Sequence, residues 1–236
     1  MTAYQHPDYG LGNFIMITPT IKKLSEKIGS PVDVFFASDY VKQCFLDCDF
    51  MNINNNRGNI SVHSGMINRK IPDYKYVFEK VIGEPWSEDY HTYVDSPKEF
   101  DFSGEDYIVV LNGLAGTAWK GRKEVDKKHH LLISAISDVP VYFTGSKTDV
   151  SQNTPWAETV FDKCFIGDIR QSLALIRGAR KVIANDTGLS HAAGAMNKEM
   201  LILWKDTPFE KNQNPGVNTR YSRKGKWSND IKQFLL

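Results

Sequence analysis

The sequence predicts an α/β protein built on parallel sheets, of a length that fits one large domain or two small lobes. Three observations predict it. Short, mostly apolar runs of strand length recur along the chain, as at Val32–Ala37, Tyr107–Leu111, Val139–Phe143, Lys181–Ala184 and Leu201–Trp204. Segments of helical period separate them, and several runs end in a turn such as Asn112-Gly113, Thr144-Gly145-Ser146 or Asn185-Asp186-Thr187-Gly188. A stretch from Glu84 to Gly104, marked by prolines, acids and a glycine, separates a less regular first half from a clear second half. Apolar runs without alternation read as strands buried on both faces, and strands alternating with helices imply a parallel sheet covered on both sides.

The first lobe, residues 1–103, opens with a short segment and a glycine turn, Gly10-Leu11-Gly12-Asn13. Ile17, Ile21, Leu24 and Ile28 recur at helical spacing and Gly29 supplies a stop, which predicts a helix with Pro19 in its first turn, where a missing N–H costs little. Val32–Ala37 is the next strand, and Ser38 or Asp39 caps a helix that turns Val41, Phe45 and Leu46 inward. Asn52–Asn59 is Asn-rich and reads as a loop. Tyr74, Val77, Phe78 and Val81 mark a further helix.

The second lobe, residues 104–227, alternates regularly. After the 107–111 strand come a helix over 126–137, the 139–143 strand, a short strand at Phe165-Ile166-Gly167 and a helix through Leu173 and Ile176 that stops at Gly178. The strand Lys181–Ala184 then leads into a small-residue helix at His191–Ala195, and Leu201–Trp204 follows. Ile231, Phe234 and Leu235 form a short apolar face near the C-terminus.

Bulk properties exclude several function classes. The 236 residues carry 29 Lys and Arg against 28 Asp and Glu, a formal net charge of +1, so no overall field draws the chain to nucleic acid or membrane. Met1–Pro7 has no signal-peptide pattern and no apolar run is long enough to span a bilayer, which predicts a cytoplasmic protein. Cys44, Cys48 and Cys164 are odd in number and contain no Cys-x-x-Cys pair, so neither a disulfide framework nor a zinc site is expected. Adjacent helical residues point apart, which excludes His129-His130 as a metal pair.

The chemistry centres on Asn185-Asp186-Thr187-Gly188. In open parallel sheets ligands bind beyond the carboxyl ends of the strands. A helix that starts there offers unpaired N–H groups and the positive end of its dipole to an anion. Gly188 lets a phosphate approach the backbone, and the Thr187 hydroxyl can donate to it.

The run from Lys181 to Ala195, Lys-Val-Ile-Ala-Asn-Asp-Thr-Gly-Leu-Ser-His-Ala-Ala-Gly-Ala, closely resembles the Asp-Thr-Gly-x-x-His signature of the heptosyltransferase-like glycosyltransferases, glycosyltransferase family 9. The segment from Phe165 to Ile176 resembles the family's Gly-x-x-x-Leu helix start, and Phe143–Ser146 its strand-end glycine. Gly10 to Ile21 resembles the family's opening turn and helix, with its Thr-Pro pair at Thr18-Pro19. The resemblance covers residues 10–40 and 106–205.

The resemblance implies two Rossmann-like lobes with parallel sheets facing across a cleft, the GT-B arrangement, with the acceptor on the first and a nucleotide-diphosphate sugar on the second. It implies sugar transfer with inversion and without a metal or other cofactor. Its donor positions fall on Gly12, Thr117, Lys120, Lys123, Gly145, Asp186, Thr187, Gly188 and His191. Lys123 best matches the family's lysine after the 107–111 strand, with Lys120 and Arg122 as neighbours that could serve instead; a full positive charge there stabilises the leaving diphosphate. Many family members carry a catalytic aspartate where this chain has Asn13, and an amide cannot take a proton. Asn13 is therefore expected to orient the acceptor or cap a helix, and Asp8, ahead of His6 and Asp39, is the expected base. A final helix, 228–236, is expected to cross back to the first lobe.

The acceptor is expected to be a glycan or lipid-linked core sugar. A hydroxylated DNA base is a second class, since the chain is short and rich in Asn and Lys, as in a phage-borne enzyme, and Arg220–Trp227 mixes basic and aromatic residues. A non-catalytic nucleotide-sugar binder and a sugar-nucleotide epimerase fit the same donor site.

Overall fold

The computed structural model describes residues 2–5, 10–54, 60–61, 73–87, 89–113, 123–206, 216 and 218–236. Contacts divide the chain into two compact units, with the first boundary between Asp95 and Ser96.

The first unit holds a four-stranded sheet in the order β3-β2-β1-β4, with β1 Thr2–Gln5, β2 Val32–Phe36, β3 Met51–Asn54 and β4 Ile60–Ser61. Every pairing is parallel, and Ala3 lies between Val34 and Ile60. Met51 pairs with Val32 and Ile53 with Val34, so Asn52 and Asn54 belong to a strand where composition suggested a loop. Sheet pairing outweighs the weak strand preference of asparagine at an edge.

Helix α1 spans Leu11–Ile28 and ends at Gly29, whose φ of 68° is left-handed. It starts well before the predicted point. Gly12 and Asn13 lie in its first turn, and Pro19 lies in its interior. A proline inside a helix leaves the carbonyl four residues back without its amide. Here that carbonyl belongs to Ile15, and the Thr18 hydroxyl donates to it at 2.8 Å. Thr18 Oγ1 in turn accepts the Tyr93 N–H at 2.7 Å. The Thr-Pro pair thus repairs its own defect inside the core. Phe14 from α1 meets Phe36 and Phe45 at ring-centroid distances of 4.9 Å, fixing the helix on the sheet. Ser38 caps α2, Asp39–Lys42, and α3 spans Asp73–Ile82.

The second unit holds a six-stranded parallel sheet, β10-β9-β8-β5-β6-β7. Its strands are β5 Ile108–Leu111, β6 Val141–Gly145, β7 Lys163–Ile166, β8 Lys181–Ala184, β9 Met200–Trp204 and β10 Thr219–Arg223. The helices between them are α4 Lys127–Ile136, α5 Lys147–Asn153, α6 Ala157–Val160, α7 Ile169–Gly178 and α8 Gly188–Ala195, with α9 Trp227–Leu235 at the end. After β5 the chain builds outward through β6 and β7, then returns to place β8 on the other side of β5. The reversal of strand order lies between β5 and β8.

Two expectations about domain limits are corrected. The first unit ends at Asp95 rather than at residue 103, because Arg177 on α7 donates to the carbonyls of Ser96, Pro97 and Phe100, and Arg170 pairs with Glu99. These contacts bind 96–100 to the second unit. The C-terminal helix also belongs there. Trp227, Ile231, Phe234 and Leu235 join Ile108, Val110, Ile133 and Leu203 in one apolar core, so α9 covers the second sheet. Burying four such side chains contributes roughly 6–12 kcal/mol before entropy is counted, more than a surface docking would offer.

Arg220–Arg223 lies on the edge strand β10. Tyr221 packs on Trp204, and Trp227 is buried with its indole N–H on the Ser222 carbonyl at 3.1 Å. The aromatic members of the basic-aromatic segment are thus used in packing.

Candidate functional site

Strand β8 ends at Ala184, and the next four residues carry the chain to α8 beside the β5–β8 reversal. Asn185 is fully buried. Its Nδ2 donates to the Gly113 carbonyl at 2.8 Å and to the Lys123 carbonyl at 3.2 Å. Just after β5, the buried Asn112 accepts the Val125 N–H at 3.0 Å and donates to Thr154 Oγ1 at 3.0 Å. Two asparagines at adjacent strand ends therefore hold both ends of the segment that runs from β5 towards α4. Gly113 comes so close to the start of α8 that a Cβ there would lie 2.5 Å from Thr187 Oγ1.

Lys123 Nζ lies 2.8 Å from Asp186 Oδ2, with the two side chains 13% and 7% exposed. Both charges are largely removed from water, so each depends on the other. His191, one turn into α8, places Nε2 3.9 Å from Asp186 Oδ1. Burial lowers its pKa to about 4, Asp186 opposing and Lys123 adding to the shift. The imidazole is neutral near pH 7 and does not act as a cation. Its Nδ1 is buried without a hydrogen-bond partner among the described residues.

Helix α8 opens with Thr187 as N-cap. The Thr187 N–H donates to Ser190 Oγ at 3.3 Å, and the Ser190 hydroxyl returns a bond to the Thr187 carbonyl at 2.7 Å. Gly188 and Leu189 are the first two helical residues, and no acceptor for their amides occurs among the described residues. Amides at this position and the helix dipole favour an anion.

The structure thus brings together Lys123, Asp186, Thr187, Gly188 and His191 in the second unit. Gly145 ends β6, the neighbour of β5, and leads into the Ser146–Asp149 capping box of α5. A Cβ at Gly145 would lie 3.4 Å from Asp149 Oδ2 and one at Gly113 would lie 3.5 Å from the same atom, so both strand ends border one carboxylate. Gly12 and Asn13 belong to the first unit. They occupy the first turn of α1, and Asn13 is half-buried. Asp8, Thr117 and Lys120 lie outside the described residues, as do His6 and Arg122. Sequence reasoning missed Asn112 and Gly113 as site-building residues and took Asn185 only as part of the turn motif. Their visible signal was two asparagines, each following an apolar strand, and a glycine after the first.

His130 sits in the core. The Trp156 indole N–H donates to its Nδ1 at 3.0 Å, and burial pushes its pKa down to about 3. Among the described residues no group of three His, Cys, Asp or Glu side chains could hold a metal ion, and no helix is long and apolar enough to cross a membrane.

A family model described as glycosyltransferase family 9 (heptosyltransferase) matches residues 140–230. No curated protein matches the chain by sequence. Among solved structures, E. coli ADP-heptose LPS heptosyltransferase II is similar with a TM-score of 0.72 at 9% identity, covering 99% of this chain and 96% of that one. E. coli heptosyltransferase WaaC with ADP gives 0.68 at 13% identity, covering 99% and 98%. A glycosyl transferase family 9 protein from Veillonella parvula gives 0.74 at 11% identity, covering 98% and 87%. At these identities the structural likeness concerns the fold, and the family match falls on the strands and helices that carry Asp186, Thr187 and Gly188. Residues 140–230 are similar to glycosyltransferase family 9, and the chain as a whole has the α/β fold of these solved heptosyltransferase structures.

Proposed function

We propose that the protein transfers a sugar from a nucleotide-diphosphate donor of the ADP-heptose class to an acceptor hydroxyl, with inversion and without a metal. The observation that carries this reading is the buried Lys123–Asp186 pair at the start of α8, beside the β5–β8 reversal. A diphosphate bound at this helix start would meet the amides of Gly188 and Leu189 beside the Lys123–Asp186 pair. The ammonium supplies the full charge that a metal supplies elsewhere, and it acts in a poorly hydrated place where charge stabilisation is strong. Asp186 holds the ammonium there. Neutral His191 offers a hydrogen bond without adding charge.

In the transfer, the acceptor oxygen forms a bond to the anomeric carbon as the bond to the diphosphate oxygen breaks on the opposite face. The electron pair leaves with the diphosphate, and the acceptor proton passes to a base. Asp8 is assigned that role, because the Asn13 amide cannot take a proton. Asn13 orients the acceptor.

The acceptor is a glycan or lipid-linked sugar. A DNA acceptor is less well supported, because Tyr221 and Trp227, which would have stacked on bases, are committed to packing.

The test is a thermal-shift panel of nucleotide-sugars with ADP and ADP-sugars included, followed by mass spectrometry of acceptors incubated with the donor that binds. A saturable rise in melting temperature with ADP and ADP-sugars, lost in Lys123→Ala, is expected. No shift with any nucleoside diphosphate would sink the reading. Binding without turnover on any acceptor would favour a non-catalytic binder, and conversion of the donor alone would favour an epimerase.

A further inference from the structure

We propose that Asn185 is a positioning residue of the donor site, clamping the two ends of the 113–123 segment so that the Lys123 ammonium is held against Asp186. The inference rests on the reading that this site takes a nucleoside diphosphate.

The geometry is specific. One carboxamide nitrogen donates to the carbonyls of Gly113 and Lys123, the first and last residues of the segment. Its orientation is fixed by chemistry, since the reverse rotamer would press the amide oxygen against two carbonyl oxygens. Asn185 Oδ1 is buried with no hydrogen-bond partner among the described residues. An unpaired oxygen in the interior is costly, so the side chain is not there for general polar satisfaction. What it provides is two N–H donors aimed at two points that are far apart in sequence. The backbone of Asn185 is itself fixed, with its N–H on the Leu111 carbonyl at 3.1 Å. The clamp is therefore referred to the end of β5.

Lys123 is joined to β8 twice as a result. Its carbonyl is held by Asn185, and its ammonium by the next residue, Asp186. One attachment on its main chain and one at the tip of its side chain leave the residue little freedom, and the ordering of the flexible lysine is completed before ligand arrives. Gly113 completes the arrangement, because only a residue without a Cβ can bring its carbonyl to Asn185 while passing Thr187.

The experiment is a double-mutant cycle on Asn185→Ala and Lys123→Ala, read by calorimetry with ADP and by thermal midpoint. If Asn185 acts through Lys123, Asn185→Ala weakens ADP about tenfold in the wild-type background. In the Lys123→Ala background it then changes ADP affinity by less than about twofold. An equal loss in both backgrounds would show a general structural role and overturn the proposal, as would no loss in the wild-type background. Unchanged ADP affinity in Lys123→Ala alone would overturn this inference together with the donor-site reading. Additivity with a weakened Lys123→Ala overturns the inference alone. Should Asn185→Ala fail to fold, the same cycle with Asn185→Ser, which keeps one donor, decides by the same criterion.

Discussion

The Lys123 ammonium and the Asp186 carboxylate lie 2.8 Å apart at the first turn of α8, and neither has much water to fall back on. Removing either partner leaves a poorly solvated charge. Asp186→Ala is expected to lower stability by about 3 kcal/mol, measured by chemical denaturation. Lys123→Ala is expected to weaken ADP by about 10- to 100-fold, measured by calorimetry. Unchanged ADP affinity in both variants would remove the site assignment.

Gly113 has no room for a side chain. In Gly113→Ala the new methyl would meet Thr187 Oγ1 at 2.5 Å, so either the strand end or the α8 cap must shift. A loss of about 1–3 kcal/mol is expected, together with weaker ADP binding. Adding Thr187→Ala should recover part of the stability. A Gly113→Ala protein with wild-type midpoint would show that the two segments are not in contact.

Thr18 serves two backbone groups at once, the Ile15 carbonyl and the Tyr93 N–H. Thr18→Ala should cost about 2 kcal/mol. Adding Pro19→Ala restores an amide to face the Ile15 carbonyl and should return part of the loss, although the Tyr93 N–H stays unpaired. Pro19→Ala giving no rescue would mean that the hydroxyl is not replacing the missing amide. Both are read from denaturant midpoints.

His191 and His130 are held neutral by burial, with pKa values of about 4 and about 3. In the unfolded chain histidine protonates near pH 6.5. Below that pH the unfolded state takes up protons that the folded state refuses. Stability is thus full above about pH 6.5 and falls as the pH drops towards the folded values, by about 1.4 kcal/mol per unit for each residue. Denaturation between pH 6.5 and 5, where few carboxylates titrate, should show this slope, and His130→Gln should reduce it. A flat profile in that window would contradict the burial of both rings.

Asp8→Asn is expected to slow turnover by at least about 100-fold with little change in donor affinity. Full activity in that variant would clear Asp8 of the role of base.

Much of the second unit was legible from its residues. Ile108–Leu111, Val141–Gly145 and Lys181–Ala184 are strands because they are short apolar runs closed by turn residues, and each is a central strand of the sheet. Asp186–Gly188 was legible for the same reason, since it follows such a run. The misreadings arose where tertiary contacts outweigh local preference. Gly12 and Asn13 suggest a turn, yet they begin a helix because the residues after them are buried on every side. Pro19 suggests a helix start, and only the Thr18 hydroxyl makes an interior position affordable. Arg177 gave no sign that it would capture three carbonyls of the segment taken for a linker. Asn185 read as part of a turn motif, and its grip on Gly113 and Lys123 depends on a neighbour in the sheet rather than in the chain.

All six strands of the second sheet run in one direction, so Asn112, Gly113, Gly145 and Asn185 leave it by the same rim. The opposite rim, where Ser137–Pro140 and Ala179–Arg180 enter strands, carries none of the residues assigned to chemistry. Fluorophores, affinity handles or inserted peptides should therefore be carried on that side without disturbing turnover. The same division tells where natural drift in this chain is free and where it is constrained.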